Sequence, residues 1–248
     1  MSRIVAVGLG ALALALTGCR LDATVTVSMA NDGSGFLRIE AVADEELVER
    51  AARFAGTDPF DDFRSADLEA AGWAVLRDRD AHRLVLEHPF RNPSELSTLV
   101  AGLDPGAPAP VLEDFDARRA RGLFSDTYRL TGKVDLTGGG SSEPVAKLLQ
   151  GIDPQLIDAV AGADLSRSFH LTLRVVLPGE VQEANSSDRR LGIASWSVDA
   201  GNTSNVSVRT RRRNVFAIAT AVGSAALIGA AVVMSIGVAR AAPHRRRS

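Results

Sequence analysis

The sequence predicts an α+β domain, a mostly antiparallel sheet with helices packed on one face, between an N-terminal lipoprotein signal and one C-terminal transmembrane helix. Three observations carry this. Short runs of alternating apolar and polar residues recur in pairs around turn residues, as hairpins do. Between them lie stretches with apolar residues at helical spacing and capping residues at their starts. Two uncharged apolar runs stand at the ends of the chain, outside the alternating region.

Residues 1–18 read as the signal, with Arg3 ahead of an apolar run over 4–16 and small residues at the cut. That run is too short to span a bilayer, which takes about 20 residues. Leu16-Thr17-Gly18-Cys19 has the form of a lipobox. In that chemistry the thiol of Cys19 takes a diacylglycerol in thioether linkage, cleavage leaves Cys19 as the mature N-terminus, and a further acyl chain such as palmitate can follow. Cys19 is the only cysteine among 248 residues, so no intramolecular disulfide can form.

The domain proper is assigned to residues 19–208. Leu21, Ala23, Val25, Val27 and Met29 share one face of a first strand, Asn31-Asp32-Gly33-Ser34-Gly35 turns the chain, and residues 36–42 return. Asp44-Glu45-Glu46 opens a helix with acids where the helix dipole favours them, and Leu47, Ala51 and Phe54 line its apolar face. A second short helix is expected within residues 59–71. Asp58, Asp61 and Asp62 lack the loop spacing and glycine of a calcium-binding EF-hand. Residues 73–77 and 83–87 form a second hairpin. Asn92 caps a helix to Gly102, with Pro93 at its first position and Glu95 at its third.

After a proline-rich loop, residues 115–121 and 123–136 read as strands, with Tyr128, Leu130, Val134 and Leu136 in the core. Residues 138–142 are a Gly/Ser linker, and no Gly-Lys-Ser/Thr follows to make a phosphate-cradling loop. Residues 142–160 carry a helical stripe of Val145, Leu148, Leu149, Ile152, Leu156, Ile157 and Val160, expected to pack on the sheet; the alternative is that part of it faces a lipid. Residues 169–177, 191–198 and 205–210 complete the strands.

Charge is unevenly placed. Nine of the 28 basic residues lie before residue 20 or after 208, where there is no acid, leaving 19 basic against 30 acidic groups and a net of −11 between. Nucleic acid and anionic headgroups repel such a stretch at long range, so no nucleic-acid partner is expected and a lipid must be held by apolar contact. Residues 209–213 form a basic juxtamembrane segment and 214–239 the transmembrane helix. The 25 residues from 215 to 239 carry no charge and reach roughly 37 Å as a helix. Arginines flank both ends of this run, so the positive-inside rule is nearly balanced. The export signal places residues 240–248 in the cytoplasm and turns Arg209 and Arg211–Arg213 toward outer headgroups.

The lipobox followed at once by a strand, the Val176-Leu177-Pro178-Gly179 strand end, Asn185, Gly192 and Trp196 at a similar interval, and the closing span together resemble the LppM family of actinobacterial lipoproteins. The resemblance implies an extracytoplasmic α+β domain associated with envelope lipids, with glycolipids such as phosphatidylinositol mannosides as ligands, and no catalytic residues. Only Cys19 carries over as a functional position.

No catalytic constellation stands out. His82, His88 and His170 come without a partner cysteine or an HExxH pattern, and no Gly-x-Ser-x-Gly is present, so no metal, cofactor or enzymatic activity is expected. Trp73, Trp196 and Tyr128 could stack on a sugar, but core positions are expected for both tryptophans. The expected protein is a non-catalytic cell-membrane lipoprotein, lipid-anchored and single-pass. Its extracytoplasmic domain binds a membrane lipid or glycolipid in an apolar cavity next to the outer leaflet. The alternative is a scaffold presenting a surface to an envelope protein partner.

Overall fold

The computed structural model describes residues 20–55, 60, 63, 65–103, 110–137, 169–186 and 188–214. Among them the strands and helices run β1 (Leu21–Met29), β2 (Gly35–Ala43), α1 (Glu45–Ala55), α2 (Ala66–Ala70), β3 (Ala74–Asp78), β4 (Arg83–Phe90), α3 (Glu95–Leu103), β5 (Leu112–Ala120), β6 (Ser125–Asp135), β7 (Phe169–Val176), β8 (Glu180–Ala184), β9 (Asp188–Arg190), β10 (Ile193–Asp199) and β11 (Thr203–Arg213). One sheet has seven strands in the order β3-β4-β2-β1-β7-β10-β9, and the other has four in the order β5-β6-β11-β8. β1 and β7 pair in parallel at the centre of the larger sheet.

This corrects the expected fold class. The described protein is mostly β, with two sheets and three short helices of 11, 5 and 9 residues, and not a single sheet with helices packed on one face. The reason lies in β6 and β11, which pair over their full lengths from Ser125↔Arg213 to Asp135↔Thr203. Their inward residues Tyr128, Leu130, Val134, Val206 and Val208 join Val25, Val27, Leu171 and Leu173 of the larger sheet in one buried cluster. A sheet of that length has an apolar face of its own to bury, and the face of the first sheet is what it finds. The helices fill the margins: α1 adds Leu47 and Ala51, α3 adds Leu96, Val100 and Leu103.

Local chemistry follows the sequence closely at several points. Asp44 caps α1, its carboxylate accepting the Leu47 N–H at 2.8 Å. At α3 the Glu95 carboxylate reaches back to the Arg91 N–H at 2.9 Å and the Asn92 side-chain amide at 3.0 Å, and the helix begins at Glu95. Residues 209–213, read as a juxtamembrane segment, continue β11 to Arg213. No helix among the described residues is long and apolar enough to cross a membrane. Residues 1–19, with Cys19, the apolar stripe within 142–160 and the assigned span from 215 onward lie outside the described residues.

From Val176 onward the chain changes sheet at almost every connection: β8 lies in the small sheet, β9 and β10 in the large one, β11 in the small one. Left-handed glycines stand at two of these sheet changes, Gly179 at φ 91° between β7 and β8 and Gly201 at φ 82° between β10 and β11, while Gly192 at φ 69° makes the β9–β10 turn within the larger sheet. Asn185 ties the strands together. Its side-chain oxygen accepts the Trp196 indole N–H at 3.1 Å and the Ser207 N–H at 2.9 Å, and its amide nitrogen donates to the Asn205 carbonyl at 2.8 Å. Buried Thr210 donates its hydroxyl to the Pro178 carbonyl at 2.7 Å. Of the residues quoted above for a family resemblance, Asn185 and Trp196 thus meet at one structural joint, and Gly192 lies at the β9–β10 turn, where its carbonyl accepts the Leu177 N–H at 2.8 Å.

The layout has two poles. At the amino pole Arg20 lies by Asp44, and Leu21 lies by Phe169. β11 starts at that pole and runs its 11 residues, roughly 35 Å, to the carboxyl pole at Asn214. Replacing Asn185 with Ala leaves the buried Trp196 N–H without its acceptor. We expect a loss of about 1–2 kcal/mol, read as a lower urea midpoint at unchanged slope. Asn202→Ala, in a turn held by backbone bonds, should stay within about 0.5 kcal/mol of the parent.

Candidate functional site

Two half-open clefts mark the described surface. The first lies between α3 and β5 and encloses about 510 Å³. α3 presents Ser97, Val100 and Ala101 at helical spacing on one side. On the other side β5 is irregular: its register on β6 shifts between Glu113 and Asp116, and Asp114 stands at φ 52°. A bulge re-aims side chains, and here Glu113, Asp114 and Phe115 all reach the cleft instead of alternating. Gly132 on the facing strand makes room, since a Cβ there would come within 2.8 Å of the Phe115 ring. Leu112 and Pro110 complete the apolar wall.

The carboxylates of this cleft are not equivalent. Lys133 bridges Glu113 at 2.9 Å and Asp135 at 2.6 Å. The Lys133 ammonium, helped by the hydroxyl and N–H of Thr137, holds the Asp135 carboxyl at about 2. Asp135 and then Glu113 push the Lys133 ammonium up in return. Glu113 is therefore compensated, whereas Asp114 has no ion pair to a described residue. An apolar wall beside one exposed carboxylate suits a hydrocarbon chain next to a hydroxyl-bearing group, and it disfavours phosphate.

The second cleft, about 570 Å³, lies at the carboxyl pole and is lined by Phe124, Ser125, Gly179, Glu180, Gln182 and Arg211–Arg213. The Arg211 guanidinium donates to the Ser125 hydroxyl at 3.0 Å, and the Asn214 N–H donates to the Phe124 carbonyl at 2.8 Å. Its chemistry is the reverse of the first: cationic, and open to anions.

Among the residues singled out by sequence, Cys19 lies outside the described part. Trp73, Trp196 and Tyr128 are buried. The Tyr128 phenol, pushed up by burial, donates to the Asn31 carbonyl at 2.6 Å. Among the described residues no group of three His, Cys, Asp or Glu side chains is placed to hold a metal. One arrangement escaped the sequence reading. The Ser197 hydroxyl meets His170 Nε2 at 2.9 Å, and His170 Nδ1 meets Asp199 at 2.9 Å. The order is that of a nucleophilic relay, yet neither cleft reaches it. Its aspartate is 71% exposed, whereas a working relay keeps the carboxylate buried. It is a cross-strand polar contact between β7 and β10, where His170 faces Asp199 in register. Sequence spacing does not signal it, because β7 and β10 are paired only in the fold.

The geometry defines a two-sheet β domain entered at one pole and left at the other, with an apolar cleft and an arginine-lined one. No family model matches the chain, and no curated protein matches it. Among solved structures it is similar to the folded domain of LppM from Mycobacterium tuberculosis, determined by NMR, with 16% identity, 79% of this chain and 92% of that chain covered, and a TM-score of 0.43.

Two outcomes follow from the first cleft. Asp135 titrates near 2 when folded against an ordinary 3.8, so its contribution is complete above about pH 4 and lost as pH falls toward 2. Acid titration of stability should show that loss, no more than about 2 kcal/mol, and Asp135→Asn should flatten it. Asp114→Gly relieves the left-handed backbone and should leave stability unchanged or raise it by up to about 1 kcal/mol in thermal or urea unfolding.

Proposed function

We propose that this protein is a membrane-anchored lipoprotein of the cell envelope, without catalytic activity, that holds a lipid or glycolipid in the cleft between α3 and β5. Cys19 is the lipid-attachment residue of this reading, residues 214–239 cross the membrane once, and the globular domain lies on the extracytoplasmic side with residues 240–248 in the cytoplasm. The observation that carries it is the cleft itself. Its volume falls within the range of small-molecule sites, about 300–1,000 Å³. Val100, Leu112 and Phe115 supply hydrocarbon contact, and Asp114 supplies an acceptor for sugar or glycerol hydroxyls. The lipobox and the uncharged run after Asn214 support this reading, since on it the cleft lies beside a source of such molecules.

A second reading, a scaffold for an envelope protein, draws on the free edge of the larger sheet. There β3 presents Leu76, 58% exposed, on a strand edge that is unpaired among the described residues and of the kind that accepts a partner strand. Native mass spectrometry of the full chain released from detergent separates the two. Under the first reading lipid stays bound, and Ala101→Trp, which fills the cleft from an exposed helix position, removes it while leaving the circular dichroism spectrum unchanged. A parent chain that carries and takes up no lipid, together with crosslinking that traps one protein through β3, selects the second.

A further inference from the structure

The carboxyl pole gathers side chains from three connections that are far apart in sequence: the Arg121–Phe124 loop between β5 and β6, the Leu191-Gly192 turn between β9 and β10, and the end of β11. Tight backbone contacts hold them together. A Cβ on Gly192 would lie 2.6 Å from the Leu177 carbonyl oxygen, and one on Gly179 would collide with the Arg211 carbonyl. The Asn214 N–H bond to Phe124 closes the set.

What this pole exposes is unusual in two respects. Leu191 is 85% exposed, Leu123 82% and Phe124 52%, and these are three of the five large apolar side chains exposed among the described residues. A single exposed apolar residue means little, but three at one end mark a contact surface. Around them stand Arg121, Arg189, Arg190, Arg211, Arg212 and Arg213 against Glu180 and Asp188, with Asp126 opposite Arg212 cancelled by its ion pair to Arg119, a local net charge of +4 in a chain whose residues 20–208 sum to −11. Arg190 pairs with Asp188 at 3.7 Å; Arg212 and Arg213 have no ion pair to a described residue.

We infer that the carboxyl pole is a docking surface for an anionic phospholipid bilayer. Leu123, Phe124 and Leu191 enter the interfacial region, and the arginines pair with headgroup phosphates, which the planar guanidinium binds in bidentate fashion. Two features select a bilayer over other anions. A nucleic acid or an acidic protein would engage the arginines and leave the three apolar tips in water. The residue after Asn214 also begins 25 uncharged residues, so the chain itself delivers this pole to hydrocarbon. The negative remainder of the domain is repelled by the same surface, which orients the pole inward. The inference rests on the membrane crossing by residues 214–239 in the reading above and uses nothing of the α3–β5 cleft, so a cleft that holds no lipid leaves it standing.

The test places a fluorophore at the tip. The full chain carrying Leu123→Trp is reconstituted in vesicles of phosphatidylcholine, with or without phosphatidylglycerol, and compared with the parent. The added tryptophan should emit to the blue and be quenched by brominated phospholipids, more strongly with phosphatidylglycerol and less as salt rises. The combined Arg211→Gln, Arg212→Gln and Arg213→Gln variant should lose the phosphatidylglycerol-dependent part. Should that variant not fold, the exposed pair Arg189→Gln and Arg190→Gln carries the same expectation. Leu76→Trp, on the β3 edge, should stay unquenched. A water-exposed spectrum for Leu123→Trp, quenching equal to that of Leu76→Trp, or quenching indifferent to phosphatidylglycerol and salt would each overturn the inference.

Discussion

The constraint on which this fold depends is the shuttling of the chain between two sheets from β7 to β11. A strand that leaves one sheet for another must turn a tight corner and then satisfy its backbone in a new ladder. Pro178-Gly179 and Gly201 make two of the corners, with both glycines in conformations that a side chain would strain. Asn185 then serves three strands at once, and Trp196 fills the space beneath. Every later feature inherits its place from this joint: the position of β11, the direction of the chain at Arg213, and the burial of Tyr128 and Thr210 between the sheets.

Charge is organised by the same topology. The acidic excess of the chain is spread along helices and strand edges, and part of it is neutralised within small networks. Lys133 balances Glu113 and Asp135, and Arg119 balances Asp126 at 2.6 Å while donating to the Asp32 carbonyl. The Arg119–Asp126 pair is mostly shielded from water and links β5 and β6 to the β1–β2 turn, so it fastens the small sheet onto the large one. Arg211, Arg212 and Arg213 differ because β11 carries them past the last acidic residue of the chain.

How much of this was legible depends on the range of the signal. The first two hairpins were readable because period-two alternation and turn residues are local, and the pairing of β1 with β2 matches the sequence reading within a residue at each end. The capping of α1 by Asp44 is likewise local. The second sheet was not readable. β6 finds its partner β11 only after some 70 intervening residues, and nothing in the alternation of residues 123–136 names a partner. β8 and β9 are short, polar edge strands with little buried face, so their sequences carry almost no periodic signal. The α3–β5 cleft was missed because a bulge breaks the alternation that defines a strand. Gly132 inside an otherwise regular strand was the one available mark of a close approach.

The two poles also bear on how the domain sits at a membrane. Arg20, directly after Cys19, and Asn214, directly before the uncharged run, lie at opposite ends of strands roughly 25–35 Å long. One extended residue on either side covers only about 3.5 Å. If Cys19 carries lipid and residues 214–239 cross the same bilayer, the strands cannot stand upright on it; the domain must lean, with the rim of the carboxyl pole in the headgroups and the amino pole brought down beside it. The α3–β5 cleft belongs to the amino half, since Leu112 pairs with Val134 and the Val111 carbonyl accepts the Asp135 N–H. An upright domain would hold the cleft far above the bilayer. On the reading proposed above, two attachments at opposite poles do more than retain the protein: they set the tilt that brings the apolar cleft toward the membrane surface.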